Sequence, residues 1–291
     1  MPDARPQRRS RAAPLIRGSA VLHLGAAGLA LARPQLWPWA LSLVVGDHLL
    51  LTGAGLWPRS RLLGSNWTRL PATAASAAIA LTIDDGPEPG VTERVLEVLE
   101  AQRARATFFC IGERVARHAA LARAITAGGH EIGNHSHRHL KRFALLGPRA
   151  LTREIVRTQE AIGLATGEVP RFFRAPAGLR NLFLEPVLAR AKLQLVSWTR
   201  RGFDTVTANA GAVLGRLTRD LAAGDILLLH DGHASRTANG APVILEVLPL
   251  LLAQIAAAHL TPVTLHQAST PTTPLTPPAT RTDAAAAAQV A

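Results

Sequence analysis

IALTIDDGP, residues 79–87, decides how the rest of the chain is read. Five residues of β-type apolar character run into two adjacent carboxylates, Asp84 and Asp85, and then into Gly86 and Pro87. A short apolar run closed by turn residues reads as a buried strand of a parallel sheet. Turn chemistry alone accounts for Asp-Gly-Pro and asks nothing more of the carboxylates. The amphipathic segment TERVLEVLEAQ (92–102) follows, and the alternation repeats down the chain. ATFFCI (106–111), HEIGN (130–134), RFFR (171–174), LQLVSWT (193–199), DILLLH (225–230) and PVTL (262–265) read as further strands. Helical periodicity such as ALTREIVRTQEAIGLA (150–165) lies between most of them. Strands alternating with helices define an α/β fold. Seven such units suit a distorted (β/α) barrel of about seven parallel strands.

Polar residues gather where these strands end. Asp84 and Asp85 follow the first, His135 and His139 of HSHRH the third, and Arg174 ends the fourth. Asp204 follows the fifth and His230 ends the sixth. The C-terminal rim of a parallel barrel is where active sites are built. Histidines four apart share one face of a helical turn and converge on one metal ion. Taken singly, the pair also reads as a solvated face, Arg174 as a structural ion pair, and His230 as a core histidine. His130 and His233 carry no functional expectation, and Cys110, the single cysteine, reads as a core residue.

Outside this block the composition changes. Residues 1–70 hold nine Arg against Asp3 and Asp47, so +7 of the net charge of +12 lies there. Only Lys141 and Lys192 are lysines, and neither a basic stripe nor a reading motif is present, so no nucleic-acid partner is expected. Two apolar stretches, 18–32 and 36–57, follow an Arg-rich start without a convincing cleavage site. They read as an uncleaved membrane anchor, with a buried soluble hairpin as the alternative. The second reaches the roughly 20 residues that a span needs, although Asp47 and His48 fall near its middle. Expected boundaries are 1–70 for the basic start and anchor, 71–266 for the catalytic domain, and 267–291 for a disordered Pro/Thr/Ala-rich tail.

The motifs together resemble the polysaccharide deacetylase family, carbohydrate esterase family 4 with its NodB-homology domain. The resemblance covers roughly 79–265 and keeps the family's motif order: TIDDG (82–86), HSHRH (135–139), RAPAG (174–178), WTRRGFD (198–204) and LLLHD (227–231). It implies a NodB-type barrel and a metal-dependent hydrolase that removes an N-acetyl or other N-acyl group from an amino sugar. The substrate would be a polysaccharide, an oligosaccharide or a lipid-linked glycan. Asp85, His135 and His139 would hold one divalent ion, expected to be Zn²⁺. Asp84 would be the base and His230 the acid, with Arg174 orienting Asp84 and Asp204 favouring the imidazolium of His230. The backbone N–H of Ala177 would receive the oxyanion. Ala177 stands where the third motif usually has Tyr, and Thr205 where the fourth usually has Trp. Sugar stacking is then expected from Phe143, Phe183 or Phe203.

Two other readings stay open: a catalytically silent glycan-binding module on the same fold, and a membrane adaptor whose domain is only a scaffold. Arg residues flank both outer ends of the apolar region, with only Arg33 between the stretches. That pattern favours a hairpin in the bacterial inner membrane with both ends cytoplasmic. A single span would put the domain outside.

Overall fold

The computed structural model describes residues 13–270 except 73 and 75. The expected tail beyond 270, and Arg5, Arg8, Arg9 and Arg11 of the basic start, lie outside the described residues. Helices α1 (Pro14–Ala32) and α2 (Trp37–Leu56) open the structure as an antiparallel pair joined by a four-residue turn. Both are long and apolar enough to cross a membrane by length and composition. Leu41, Leu43, Val45, Leu49 and Leu50 form an exposed apolar face on α2.

The sheet comprises β1 (Ala78–Asp84), β2 (Thr107–Cys110), β3 (Glu131–Asn134), β4 (Phe172–Phe173), β5 (Gln194–Leu195), β6 (Arg200–Arg201), β7 (Ile226–His230) and β8 (Thr261–Val263). Its order is β5-β4-β3-β2-β1-β7-β6, with β8 on the lower half of β1, and every strand pair is parallel. The expected distorted barrel of parallel strands is thus found, as a curled half-barrel sheet. β6 is a strand the sequence reading missed, because Arg200 and Arg201 show no apolar pattern.

The two faces of β1 carry side chains of different size. On β1, Ile79, Leu81 and Ile83 face a helical layer that includes α3 (Thr92–Ala101), α5 (Ala119–Ala127) and α9 (Ile244–Ala257). Ala78 and Ala80 face the interior, against Phe109, Phe172, Ile226 and Leu265. Each large aliphatic side chain fully buried in the outer layer contributes about 1.5–3 kcal/mol. Period-two alternation continues through Thr82 to Asp84, so the first carboxylate points into the mouth of the barrel.

Residues after α2 pack with the barrel rather than with the two apolar helices. Trp67 adds a bridge to the outer edge of β5, donating from its N–H to Leu195 and accepting from Ser197. Thr68 accepts from Thr199, and Leu70 donates to Gly224 just before β7. This segment fills the seam between the two edges of the sheet. At the other end, α10 (Leu265–Ser269) continues past 266 and is closed by a capping box from Thr264.

Candidate active site

Asp84 leaves β1 beside Arg174, which follows β4 and is fully buried. Arg174 donates from Nη1 to Asp84 Oδ1 at 2.6 Å and to Thr82 Oγ1 at 2.8 Å. Nη2 donates to the Ser197 carbonyl at 2.7 Å, and the guanidinium lies 4.2 Å from the centre of the Phe109 ring. A buried guanidinium persists only when its donors are met and a counter-ion is near. Asp84 supplies the charge and leaves Oδ2 facing His135, 3.8 Å from its Nε2.

Asp85 turns the other way, in a left-handed conformation with φ 76°. Its Oδ1 is buried without a hydrogen-bond partner and faces His135 Nε2 at 3.3 Å and His139 Nε2 at 3.2 Å. His135 donates from Nδ1 to the Arg174 carbonyl at 2.8 Å, which leaves Nε2 as the ligating nitrogen. Three potential ligand atoms within 4.8 Å of one another, with an orphaned carboxylate oxygen at their centre, fit a divalent cation. Charge and burial couple the three groups closely. Burial opposes charge on His135, but Asp84 and Asp85 outweigh it and raise the ring above its ordinary value. Burial would also raise Asp85, yet His135 and His233 hold it well below the usual carboxylate range. His139, desolvated and beside His135, is pushed down to about 4 and is neutral at pH 7.

The two histidines do not converge through a helical turn. HSHRH is a loop in which Ser136 and His139 adopt φ 62° and 49°. Asn134 Oδ1 accepts from Ser136 N, Ser136 Oγ accepts from His139 N, and buried Glu154 accepts from the N–H groups of His137 and Arg138. Glu154 and Asn134 were missed as supports, since neither shows a spacing signal.

His230 closes the opposite side. Asp204 accepts from the His230 backbone N–H at 2.7 Å and from Nδ1 at 2.9 Å. Burial lowers the ring, but the bond and charge of Asp204, with Asp84 and Asp85 beyond, raise it overall. Ala177 lies in the turn Pro176–Gly178 with φ 54° and ψ 8°. His233, left without a role by the sequence reading, donates from Nδ1 to Asp85 Oδ2 at 3.0 Å, and its Nε2 accepts from Arg114. Asp231 was also passed over; it accepts from Thr92 Oγ1 at 2.5 Å and packs behind Gly86. Of the aromatics expected to stack sugar, Phe143 is buried at 1% exposure and drops out, whereas Phe183 (42%) and Phe203 (46%) are open.

Known proteins show the same set of likenesses. Residues 72–196 match the family model described as polysaccharide deacetylase. A peptidoglycan-N-acetylglucosamine deacetylase of Bacillus cereus is 35% identical over 178 residues, 60% of this chain and 82% of that one. A chitooligosaccharide deacetylase of Bradyrhizobium is 34% identical over 161 residues, 55% of this chain and 73% of that one. The solved family 4 carbohydrate esterase from Streptomyces lividans in complex with acetate superposes with a TM-score of 0.59 at 33% identity, covering 65% of this chain and 93% of that one. A parallel curled sheet, a rim of paired carboxylates and histidines, and relatives matched over most of their own length lead to one assignment: the chain belongs to the polysaccharide deacetylase family.

Proposed function

We propose that this protein is a metal-dependent hydrolase that cleaves the N-acyl amide of an amino sugar, held in the bacterial inner membrane by the α1–α2 hairpin. The observation that carries the reading is the pairing at the rim: Asp84 on Arg174 and His230 on Asp204, on either side of the Asp85, His135 and His139 cluster. A pure binding module has no use for both a base and an acid. Asp85, His135 and His139 would hold the ion, and two imidazole nitrogens with one carboxylate oxygen suit Zn²⁺. When bound, it would polarise the acyl carbonyl and acidify water at neutral pH.

The chain's own groups do the rest. Arg174 occupies Oδ1 of Asp84, so the proton of the attacking water passes to Oδ2. The Ala177 N–H would donate to the oxygen of the tetrahedral intermediate. As the C–N bond breaks, His230 gives its Nε2 proton to the departing amine, while Asp204 holds Nδ1 and stabilises the cationic ring. An amine and a carboxylate are released.

Acetate release from an N-acetylated glucosamine oligomer, peptidoglycan and a lipid-linked amino sugar, by the full chain in lipid nanodiscs, tests the reading. Activity that survives complete chelation would remove the metal from it. Arg17 in the first turn of α1 and Arg59 and Arg61 after α2 support a topology with both ends on the cytoplasmic side. A reporter active on one side only, fused to the C-terminus, checks this; an external signal overturns it.

A further inference from the structure

The loop that carries Ala177 is clamped to the end of the anchor. Arg180 donates from its backbone N–H to the Gly55 carbonyl at 3.1 Å, in the last turn of α2, and its guanidinium donates to the Ser60 carbonyl. A Cβ at Gly55 would collide with the Arg180 carbonyl. Gly178, at φ 74°, is as tightly held, since a Cβ there would lie 2.6 Å from Trp198 and 2.7 Å from Pro58. Leu51 and Ala54 of α2 and Leu15 and Ile16 of α1 share one apolar cluster with Leu63 and Leu182. Arg180 lies three positions after Ala177, at most about 10 Å of chain.

The anchor carries its own depth markers. Trp37 and Trp39 are exposed at one end of α2 and Trp57 just past the other. Twenty residues of helix measure about 30 Å, the thickness of the hydrocarbon layer, and tryptophan collects at its two interfaces. Trp57 therefore marks the interface nearest the domain. Leu56, Leu62 and Phe183 are exposed around the same junction, and Arg17, Arg59 and Arg61 add exposed positive charge suited to anionic headgroups.

Resting on the deacetylase reading above, we propose that the catalytic rim is seated on the bilayer surface and that the substrate is an N-acylated amino sugar carried on a membrane lipid. A sugar attached to a lipid headgroup lies within reach of a rim held at the interface. A soluble oligomer would gain nothing from that placement.

Cys110 is buried and desolvation raises its thiol well above the ordinary range, so an introduced cysteine is the one that labels. Val45→Cys on α2, Phe183→Cys at the rim and Val169→Cys, in the loop at the opposite end of β4, are each labelled with bimane in the full chain. The proteins are placed in phosphatidylethanolamine and phosphatidylglycerol nanodiscs containing lipid with a nitroxide at the headgroup or deep in the acyl chain. Deep quenching at 45, headgroup quenching at 183 and neither at 169 are expected. No quenching at 45 overturns the membrane hairpin and this inference with it. Quenching at 45, with 183 no more quenched than 169, overturns the seating of the rim alone.

In unlabelled nanodiscs, N-acetylglucosamine on a polyisoprenyl diphosphate should be deacetylated at least roughly tenfold faster than a soluble chitooligosaccharide at equal concentration. Equal or faster cleavage of the soluble oligomer overturns the lipid-linked substrate and leaves the deacetylase intact. Cleavage of neither overturns both.

Discussion

The two ends of β3 handle buried charge in opposite ways. At its N-terminal end, His130 and Glu131 are pulled toward neutrality. Burial lowers the His130 ring to about 4, where it accepts from the Ala106 N–H and packs on Phe108. Burial raises Glu131 to about 7 despite bonds from Thr107 and the His266 N–H. Four residues later the strand delivers His135 to a cluster where carboxylates raise its ring and histidines hold Asp85 down. Desolvation acts at both ends. It prevails at His130 and Glu131, where only neutral donors and distant charges are at hand, and it loses at His135 and Asp85, where opposite charges lie within about 4 Å; at His139 the neighbouring His135 adds to desolvation, and the two together outweigh Asp85. A strand thus becomes structural or chemical according to whether its buried groups are given ionic partners.

That contrast breaks first at the metal ligands. His135→Ala should abolish both bound metal, read by elemental analysis, and deacetylation; a variant that kept either would remove His135 from the ligand set. Asp84→Asn leaves the ligands untouched, so metal should remain while turnover falls roughly 10²-fold to 10⁴-fold. Near-native turnover would end the proposed role of Asp84 as base.

Removing Arg174 probes the ionic pairing itself. Arg174→Met leaves Asp84 buried without its partner and should cost about 3–5 kcal/mol in denaturant unfolding. Adding Asp84→Asn to it should recover part of that loss. Strict additivity of the two would mean the pair is not coupled.

Asp204→Asn should shift the alkaline limb of the kcat/KM profile to lower pH, because Asp204 is what raises His230 against burial. An unmoved limb would detach His230 from that titration. The smallest effect lies at the far end of the strand. Folded Glu131 keeps its proton up to about pH 7, whereas the ordinary value is 4.5, so the unfolded chain binds fewer protons in between. Stability from this group therefore declines as pH rises through that window. Glu131→Gln should be more stable than the parent above pH 7 by on the order of 1 kcal/mol and indistinguishable from it at pH 4. His130 has the opposite sign, losing stability as pH falls from 6.5 toward 4. Urea midpoints across pH 4–8 separate the two.

Much of this was legible in the sequence because β1 and β7 are long, apolar and sharply terminated. IALTI and DILLLH became Ala78–Asp84 and Ile226–His230 almost unchanged. Their last residues face the site because parallel strands place their ends together. Short strands were harder: LQLVSWT reduces to Gln194–Leu195, and Arg200–Arg201 pairs through the backbone with no side-chain signature. Convergence of His135 and His139 was foreseen but by the wrong geometry, since left-handed residues in a loop leave no periodicity to read. His233 was invisible because its partner, Asp85, lies 148 residues away. Phe143 looked like any other aromatic until packing against Phe173 buried it.

The Trp67–Leu70 segment has a practical side. Composition invites a cut at residue 71, where the apolar anchor is left behind and the α/β alternation begins. Such a fragment would lose the backbone groups that meet Leu195, Ser197, Thr199 and Gly224, and would leave the outer edge of β5 bare. Unpaired strand edges recruit other strands, and the expected outcome is aggregation rather than a soluble domain. A fragment that begins at Pro58 keeps the stopper in place and retains the close packing of Pro58 on Gly178 and Trp198. What looks like a leash between the apolar helices and the enzyme is, mechanically, the last stave of the barrel.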